Sequence, residues 1–186
     1  MNTPTNTFPI LETKRLILRQ HRPTDATAVF QTFADEKVTE HYLVHTYTEL
    51  AQAEATVQKR ITYFDSGHGI RWAITLKEND DELIGSCGFN QWHLPGMPYE
   101  IGYELKRPYW NQGIMTEAII ACVQYGFTVR NMPAIEAWII PQNIASARVL
   151  QKVGFHSQGI KEAKGYFAGD FYDLEHFLLK KSNSVI

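Results

Sequence analysis

The sequence predicts an α/β (α+β) fold: a mostly antiparallel mixed sheet of about seven strands flanked by about four helices. Three observations lead there. The coarse element order reads β-α-α-β-β-β-α-β-α-β-β. Three strand-like segments lie together between Ile70 and Leu105, broken by the turn at residues 78–81. Two helical segments then open at Gly113 and Asn143, each carrying an apolar stripe at a 3.6-residue period.

Each element has its own signal. Residues 15–19, Arg-Leu-Ile-Leu-Arg, read as a first strand. Pro23 and Thr24 open a helix with Ala26, Val29, Phe30 and Phe33 on one face. Thr46 to Glu49 fit a capping box for a longer helix that ends before Gly67. Residues 70–76 alternate as a strand does, residues 82–90 form the next strand, and residues 99–105 a third. The helix from Ile114 to about Val129 lines up Ile114, Ala118, Cys122 and Tyr125. Residues 135–140 are a strand. Asn143 caps a last helix whose buried stripe is Ile144, Ala147, Leu150 and Val153, with Gly154 at its C-terminal cap. Strands at 155–165 and 171–179 close the chain around Gly169 and Asp170.

The 186 residues suit a single domain, with residues 1–10 a loose polar end. A formal net charge of −2 gives no electrostatic case for nucleic acid. Cys87 and Cys122 lack metal spacing and read as buried thiols of a reducing compartment. Residues 1–10 show no basic start followed by an apolar run, so no signal peptide is expected, and no stretch is apolar enough to span a bilayer. These features predict a cytoplasmic protein that binds no membrane and no metal, as monomer or homodimer.

The most informative segment is Arg107-Pro108-Tyr109-Trp110-Asn111-Gln112-Gly113-Ile114-Met115-Thr116-Glu117-Ala118. It reads as a strand end, a loop and the first turn of a helix. That turn has N–H groups without intrahelical partners at the positive end of the helix dipole. Gly113 lets a large anion approach the backbone. The loop lacks the Gly-Lys-Ser/Thr of a nucleotide-binding P-loop and the glycine spacing of a dinucleotide fold. A diphosphate held by backbone alone suits coenzyme A. A turn with no ligand is the plain alternative.

A second segment, Pro141-Gln142-Asn143-Ile144-Ala145-Ser146 through Lys152-Val153-Gly154-Phe155, stands at the right separation. With Tyr109-Trp110-Asn111-Gln112-Gly113 it resembles the GCN5-related N-acetyltransferase superfamily, and most of all its RimJ/RimL ribosomal-protein branch. The likeness covers nearly the whole chain, including residues 12–19 and 100–105. It departs from the superfamily at Trp110 and Met115 of the loop. It departs again at Leu150, where many members carry a tyrosine acid.

The resemblance implies transfer of an acetyl group from acetyl-CoA to a primary amine in a ternary complex, with a protein N-terminus or a small molecule as acceptor. Backbone groups near Tyr103, Glu104 and Leu105 would pair with the pantetheine, and the Leu105 N–H would face the oxyanion. Amides of Gln112, Gly113, Ile114, Met115 and Thr116 would hold the pyrophosphate. Lys106 and Arg107 would add charge or be solvated. Asn143 would bond the pantetheine, cap its helix, or both. Ser146 would serve the leaving sulfur. Glu104 and Glu100, on one strand face, are the strand carboxylates for a water-mediated base; His68 and His93 are further options. Tyr42, Trp72, Phe89, Trp92, Tyr166 and Tyr172 would wall the acceptor pocket, and Asp173 and Glu175 would attract a cationic amine. A small-amine acceptor and a non-catalytic coenzyme-A sensor are the alternatives.

Overall fold

A computed structural model describes residues 7–90 and 99–181. Strands β1 (Leu11–Glu12) and β2 (Leu16–Arg19) open the chain, followed by a 3-10 turn, Pro23–Asp25, and helices α1 (Ala26–Phe33), α2 (Glu36–Thr39) and α3 (Leu50–Asp65). Then come β3 (Gly69–Leu76), β4 (Gly85–Asn90), β5 (Tyr99–Leu105), α4 (Ile114–Thr128), β6 (Ala134–Ile139), α5 (Ile144–Val153), β7 (His156–Phe167) and β8 (Asp170–Lys180). The sheet runs β1-β2-β3-β4-β5-β6-β8-β7. Among the described residues only β5 and β6 run parallel, and they pair over two positions, Tyr99 with Ile135 and Glu100 with Glu136. The eighth strand is β1 and the fifth helix is α2. Both are too short to show a period in the sequence.

Strand parity assigns the two faces. Ile70, Trp72 and Ile74 of β3 join α4 and α5 in the main core. Ala73, between them, joins Val29, Phe33, Ala53 and Val57 of α1 and α3 in a second core. Helices therefore cover both faces, and β3 is buried from Gly69 to Thr75. Its alternation marks two interiors and not one wet face.

Local chemistry sets the helix ends. The Asn143 side chain accepts from the Ser146 N–H, and Gly154 closes α5 with φ +104°. The start of α3 differs from expectation. Its cap lies three residues later, where the Gln52 side-chain carbonyl accepts from the Thr48 and Glu49 N–H groups at 2.8 and 3.0 Å. Thr46 instead shares a hydroxyl hydrogen bond with Thr39, 2.7 Å. Ile144 leaves the predicted α5 stripe and is 55% exposed. The N-terminal end is tied down from Phe8, which packs edge-on against Phe64. The Trp72 indole then donates to the Pro9 carbonyl at 2.7 Å.

Arg19 and Asp25 fasten β2 to the first helices. Both Asp25 oxygens accept from the Arg19 guanidinium at 2.9 Å, and the pair is almost fully buried. Removing one member leaves an uncompensated buried charge. Asp25→Ala should lower the unfolding free energy by about 3–5 kcal/mol, read from urea titration. A loss under about 1 kcal/mol, the value of an exposed pair, would show that the pair does not hold this corner.

Candidate active site

The loop before α4 is built for close approach. Asn111 and Gly113 both take positive φ, +60° and +73°. Gly113 is the N-cap of α4, and the first intrahelical bond runs from the Glu117 N–H to its carbonyl. The amides of Ile114, Met115 and Thr116 therefore have no carbonyl within the helix to donate to. A Cβ at Gly113 would meet only the tip of Arg15, at 3.7 Å. Beside it lies a cleft of about 410 Å³ lined by Gly113, Thr116, Glu117, Gln124 and Lys152.

Glu117 would oppose an anion here, but it is occupied. It accepts from the Thr13 hydroxyl (2.6 Å), the Arg15 N–H (2.9 Å) and the Arg15 guanidinium (2.7 Å). Partial burial pushes its carboxyl up. Those bonds outweigh burial and hold it below the usual carboxylate range. The Arg15 guanidinium also donates to the Gln112 carbonyl at 3.0 Å. Arg15, not Lys106 or Arg107, supplies charge at the loop. Lys106 is bound to Gln31 and Glu82, and Arg107 to Asp35, at the α1–α2 side.

β5 and β6 part after Glu100 and Glu136. The Lys106 N–H donates to the Ile84 carbonyl, which turns the backbone groups of Glu104 and Gly102 toward β4. Those of Tyr103 and Leu105 then face the gap. The Leu105 carbonyl is taken by the Trp110 indole at 2.8 Å, which ties the loop to the strand.

The two sides of the gap differ in chemistry. On the α5 side, the Tyr103 hydroxyl lies 2.6 Å from Ser146 Oγ. Burial pushes the Tyr103 phenol up, so it remains a donor. Ser146 is thus bonded to Tyr103 and not to the preceding helical turn. Asn143 is a cap, and its oxygen is already used by the Ser146 N–H at 3.0 Å.

On the opposite side stand both predicted carboxylates, in unlike surroundings. Glu104 is buried. It contacts Arg71 and Ser86 at short range, Arg60 at 2.9 Å and the Tyr42 hydroxyl at 3.4 Å. Gly102 makes room for this, because a Cβ there would stand 2.9 Å from the Arg71 guanidinium. Burial raises the Glu104 carboxyl, but Arg60 and Arg71 overcome it and hold it below the ordinary glutamate value. Its two oxygens are engaged by the Arg60 and Arg71 guanidinium groups and by the Ser86 and Tyr42 hydroxyls, where the sequence reading expected a proton acceptor. Glu100 behaves oppositely. Burial raises it, and nearby Glu136 adds to the rise against a weak 3.5 Å bond from Asn90.

The predicted acceptor walls divide. Trp72 and Phe89 are fully buried in the core and offer no surface, because strand aromatics on the α4 side fill the interior. Tyr42 lies against Glu104 and Arg71. Tyr166 is 65% exposed near the end of the β7–β8 hairpin, beside Phe171. Tyr172 is half-buried opposite Gly165. Asp173 accepts from the Ala163 N–H and Glu175 from the Ser157 hydroxyl, so both serve their own hairpin. His68 bonds Ser66 at the end of α3. Trp92 and His93 lie outside the described residues.

Among the described residues no helix is long and apolar enough to cross a membrane. None of their His, Cys, Asp and Glu side chains form a group of three or more that could hold a metal ion. Cys87 and Cys122 are buried, free thiols.

Known proteins share this plan. A family model described as an acetyltransferase (GNAT) domain matches residues 15–156. An uncharacterized N-acetyltransferase of Bacillus subtilis (strain 168), YoaA, is 36% identical over 174 residues, 94% of this chain and 98% of its own. Among solved structures, RimL, a ribosomal alpha-N-protein acetyltransferase in complex with coenzyme A, superposes with a TM-score of 0.81. That match covers 92% of this chain and 98% of RimL at 21% identity. An acetyl transferase from Salmonella typhimurium that modifies the N-terminal serine of a ribosomal protein gives 0.79 over 94% and 100%, also at 21% identity. The chain belongs to the GNAT family and is an N-acetyltransferase.

The Glu104 cluster has a pH signature. A carboxylate held below its unfolded value, about 4.3 for glutamate, adds stability that is complete above that value. The contribution is lost as pH falls through the lower folded value. Glu104→Gln should lower stability at pH 7 and flatten its fall on the acid side of pH 4, in urea midpoints compared across pH. Parallel acid limbs in the two proteins would contradict this.

Proposed function

We propose that the protein transfers the acetyl group of acetyl-CoA to a primary amine by direct attack in a ternary complex. The observation that carries the reading is the 2.6 Å bond between Tyr103 and Ser146 beside the β5–β6 gap. RimL, whose fold this chain shares, was solved with coenzyme A. A protein N-terminal α-amine is the acceptor class we favour.

Acetyl-CoA supplies a thioester carbonyl and a sulfur leaving group. The Gly113 loop fits its diphosphate through the amides of Gln112 to Thr116 and the Thr116 hydroxyl. The backbone N–H and carbonyl of Tyr103 fit the pantetheine arm as an added strand would. The Leu105 N–H is the donor to the developing oxyanion. Tyr103 donates to Ser146 Oγ, which turns the serine's own hydrogen toward the leaving sulfur. Glu100, with its raised carboxyl, takes the amine proton through water. Glu104 holds Arg60 and Arg71 and carries no proton.

Ser146→Ala should reduce kcat about 100–1000-fold, as loss of one hydrogen-bond donor to developing charge does. Affinity for acetyl-CoA should stay within about twofold. Tyr103→Phe should give a smaller loss of the same kind. Thiol release against a panel of primary amines and a serine-initiated peptide reads this, with calorimetry for the coenzyme. Unchanged kcat in both variants would remove this pair from the reaction.

A further inference from the structure

Arg71 of β3 lies across the sheet on the α3 side. In the antiparallel register it stands opposite Gly88 of β4, and Gly88 stands opposite Gly102 of β5. Two glycines in one row leave the floor open, and the guanidinium reaches over it as far as β5. Its Nε donates to the Ser86 hydroxyl at 2.8 Å, and its Nη2 donates to the Tyr42 hydroxyl at 3.2 Å and to Glu104. Among the described residues Nη1 has no acceptor, although the side chain is only 8% exposed. A Cβ at Gly102 would stand 2.9 Å from Nη1 and 3.8 Å from Asn90 Nδ2. Both of those nitrogens are hydrogen-bond donors. Asn90 Nδ2 also lies 3.5 Å from Glu100 Oε1, so the space over Gly102 adjoins Glu100.

We propose that the niche over Gly102 holds the neutral carbonyl oxygen next to the acceptor's amine, so that the protein selects α-amino carbonyl compounds, as at a peptide N-terminus; this rests on the reading given above. A buried donor without a partner costs free energy, and a carbonyl that accepts from it recovers that cost. Arg71 Nη1 and Asn90 Nδ2 are the two donors, one for each lone pair of the oxygen. The amine lies along β5 toward Glu100 and its water. In an α-amino carbonyl the nitrogen and the oxygen are separated by two carbon atoms, so one small group reaches from the water on Glu100 to the niche. A carboxylate suits the place less well, because Glu100 and Glu104 flank Gly102 along the same strand face.

Pairing with Glu104 does not account for the niche. The ion pair and the Ser86 bond occupy the Nε and Nη2 edge of Arg71 and leave Nη1 over Gly102. Glu104 already has a second cation in Arg60 at 2.9 Å. A residue that only neutralised Glu104 would need no fork extended to the strand that borders the gap.

The test uses the full chain and acetyl-CoA with serinamide, serine and ethanolamine. These acceptors differ only in the group on the amine-bearing carbon: an amide, a carboxylate or a hydrogen. Thiol release gives kcat/KM, expressed on the free-base amine. The wild type should favour serinamide over ethanolamine by about 10–100-fold, the worth of a hydrogen bond to a charged donor, and should favour it over serine. Gly102→Ala puts a methyl group in the niche and should cut the serinamide-to-ethanolamine ratio about tenfold, with acetyl-CoA affinity within about twofold by calorimetry. Asn90→Leu removes the second donor and should lower the same ratio; it carries the mutational test if Gly102→Ala fails to fold. A wild type that does not prefer serinamide to ethanolamine, or a ratio unchanged in the variants, overturns the proposal and leaves the niche a packing gap. Serine as the better acceptor overturns it too, since the oxygen would then be anionic. If the wild type releases no thiol with any amine, the reading of the reaction falls and the proposal with it.

Discussion

The gap between β5 and β6 is the constraint on which the rest of the structure turns. A sheet normally satisfies the backbone groups of its inner strands with one another. Here the two central strands pair at two positions and then separate. Tyr103 and Leu105 are left with groups directed at no neighbouring strand, in the middle of an otherwise continuous sheet. Such an arrangement persists only if the outer contacts are strong. Pairing of β3, β4 and β5 on one side, and of β6, β7 and β8 on the other, supplies them.

The gap also separates two chemistries. A strand alternates its side chains, so Tyr103 looks toward α5 while Glu100 and Glu104 look toward α3. A group placed in the opening thus meets a neutral hydroxyl pair on one side and charged groups on the other. That polarity suits a reaction in which an amine gives up a proton and a sulfur departs. The Glu104 cluster keeps the charged side in order, since Arg60 and Arg71 would otherwise stand as buried cations close to the strand. Family membership fixes acetyl transfer as the class of reaction, and the placement of these groups carries the particular roles proposed.

Much of the fold was legible because its signals are local. The bounds of β5 and the start of α4 were readable from turn chemistry and period. So were the Asn143 cap and the Gly154 ending. The short β1 and α2 escaped because two or four residues establish no period. The α3 cap was misplaced because Thr46 to Glu49 matches a capping box as well as the Glu49 and Gln52 that form the real cap. In the site, the Gly113 loop was legible as a glycine before a helix start, while Ser146 entered only through the family resemblance. The Glu104 network was not legible, since it is made by Arg60 of α3 and Arg71 of β3, joined only by folding. The donors over Gly102 were hidden likewise: Arg71 and Asn90 meet there through the register of β3, β4 and β5. Trp72 and Phe89 were misassigned because composition cannot say which face of a doubly covered strand an aromatic takes.

The most direct test of this account is residue-resolved amide exchange with and without acetyl-CoA. The account predicts added protection at Tyr103 and Leu105, whose N–H groups face the gap, and at Gly113 to Thr116. Gly102 and Glu104, already bonded to β4, should change little. Protection absent from Tyr103 and Leu105, or spread evenly along β5, would contradict the claim that the parted strands form the coenzyme site.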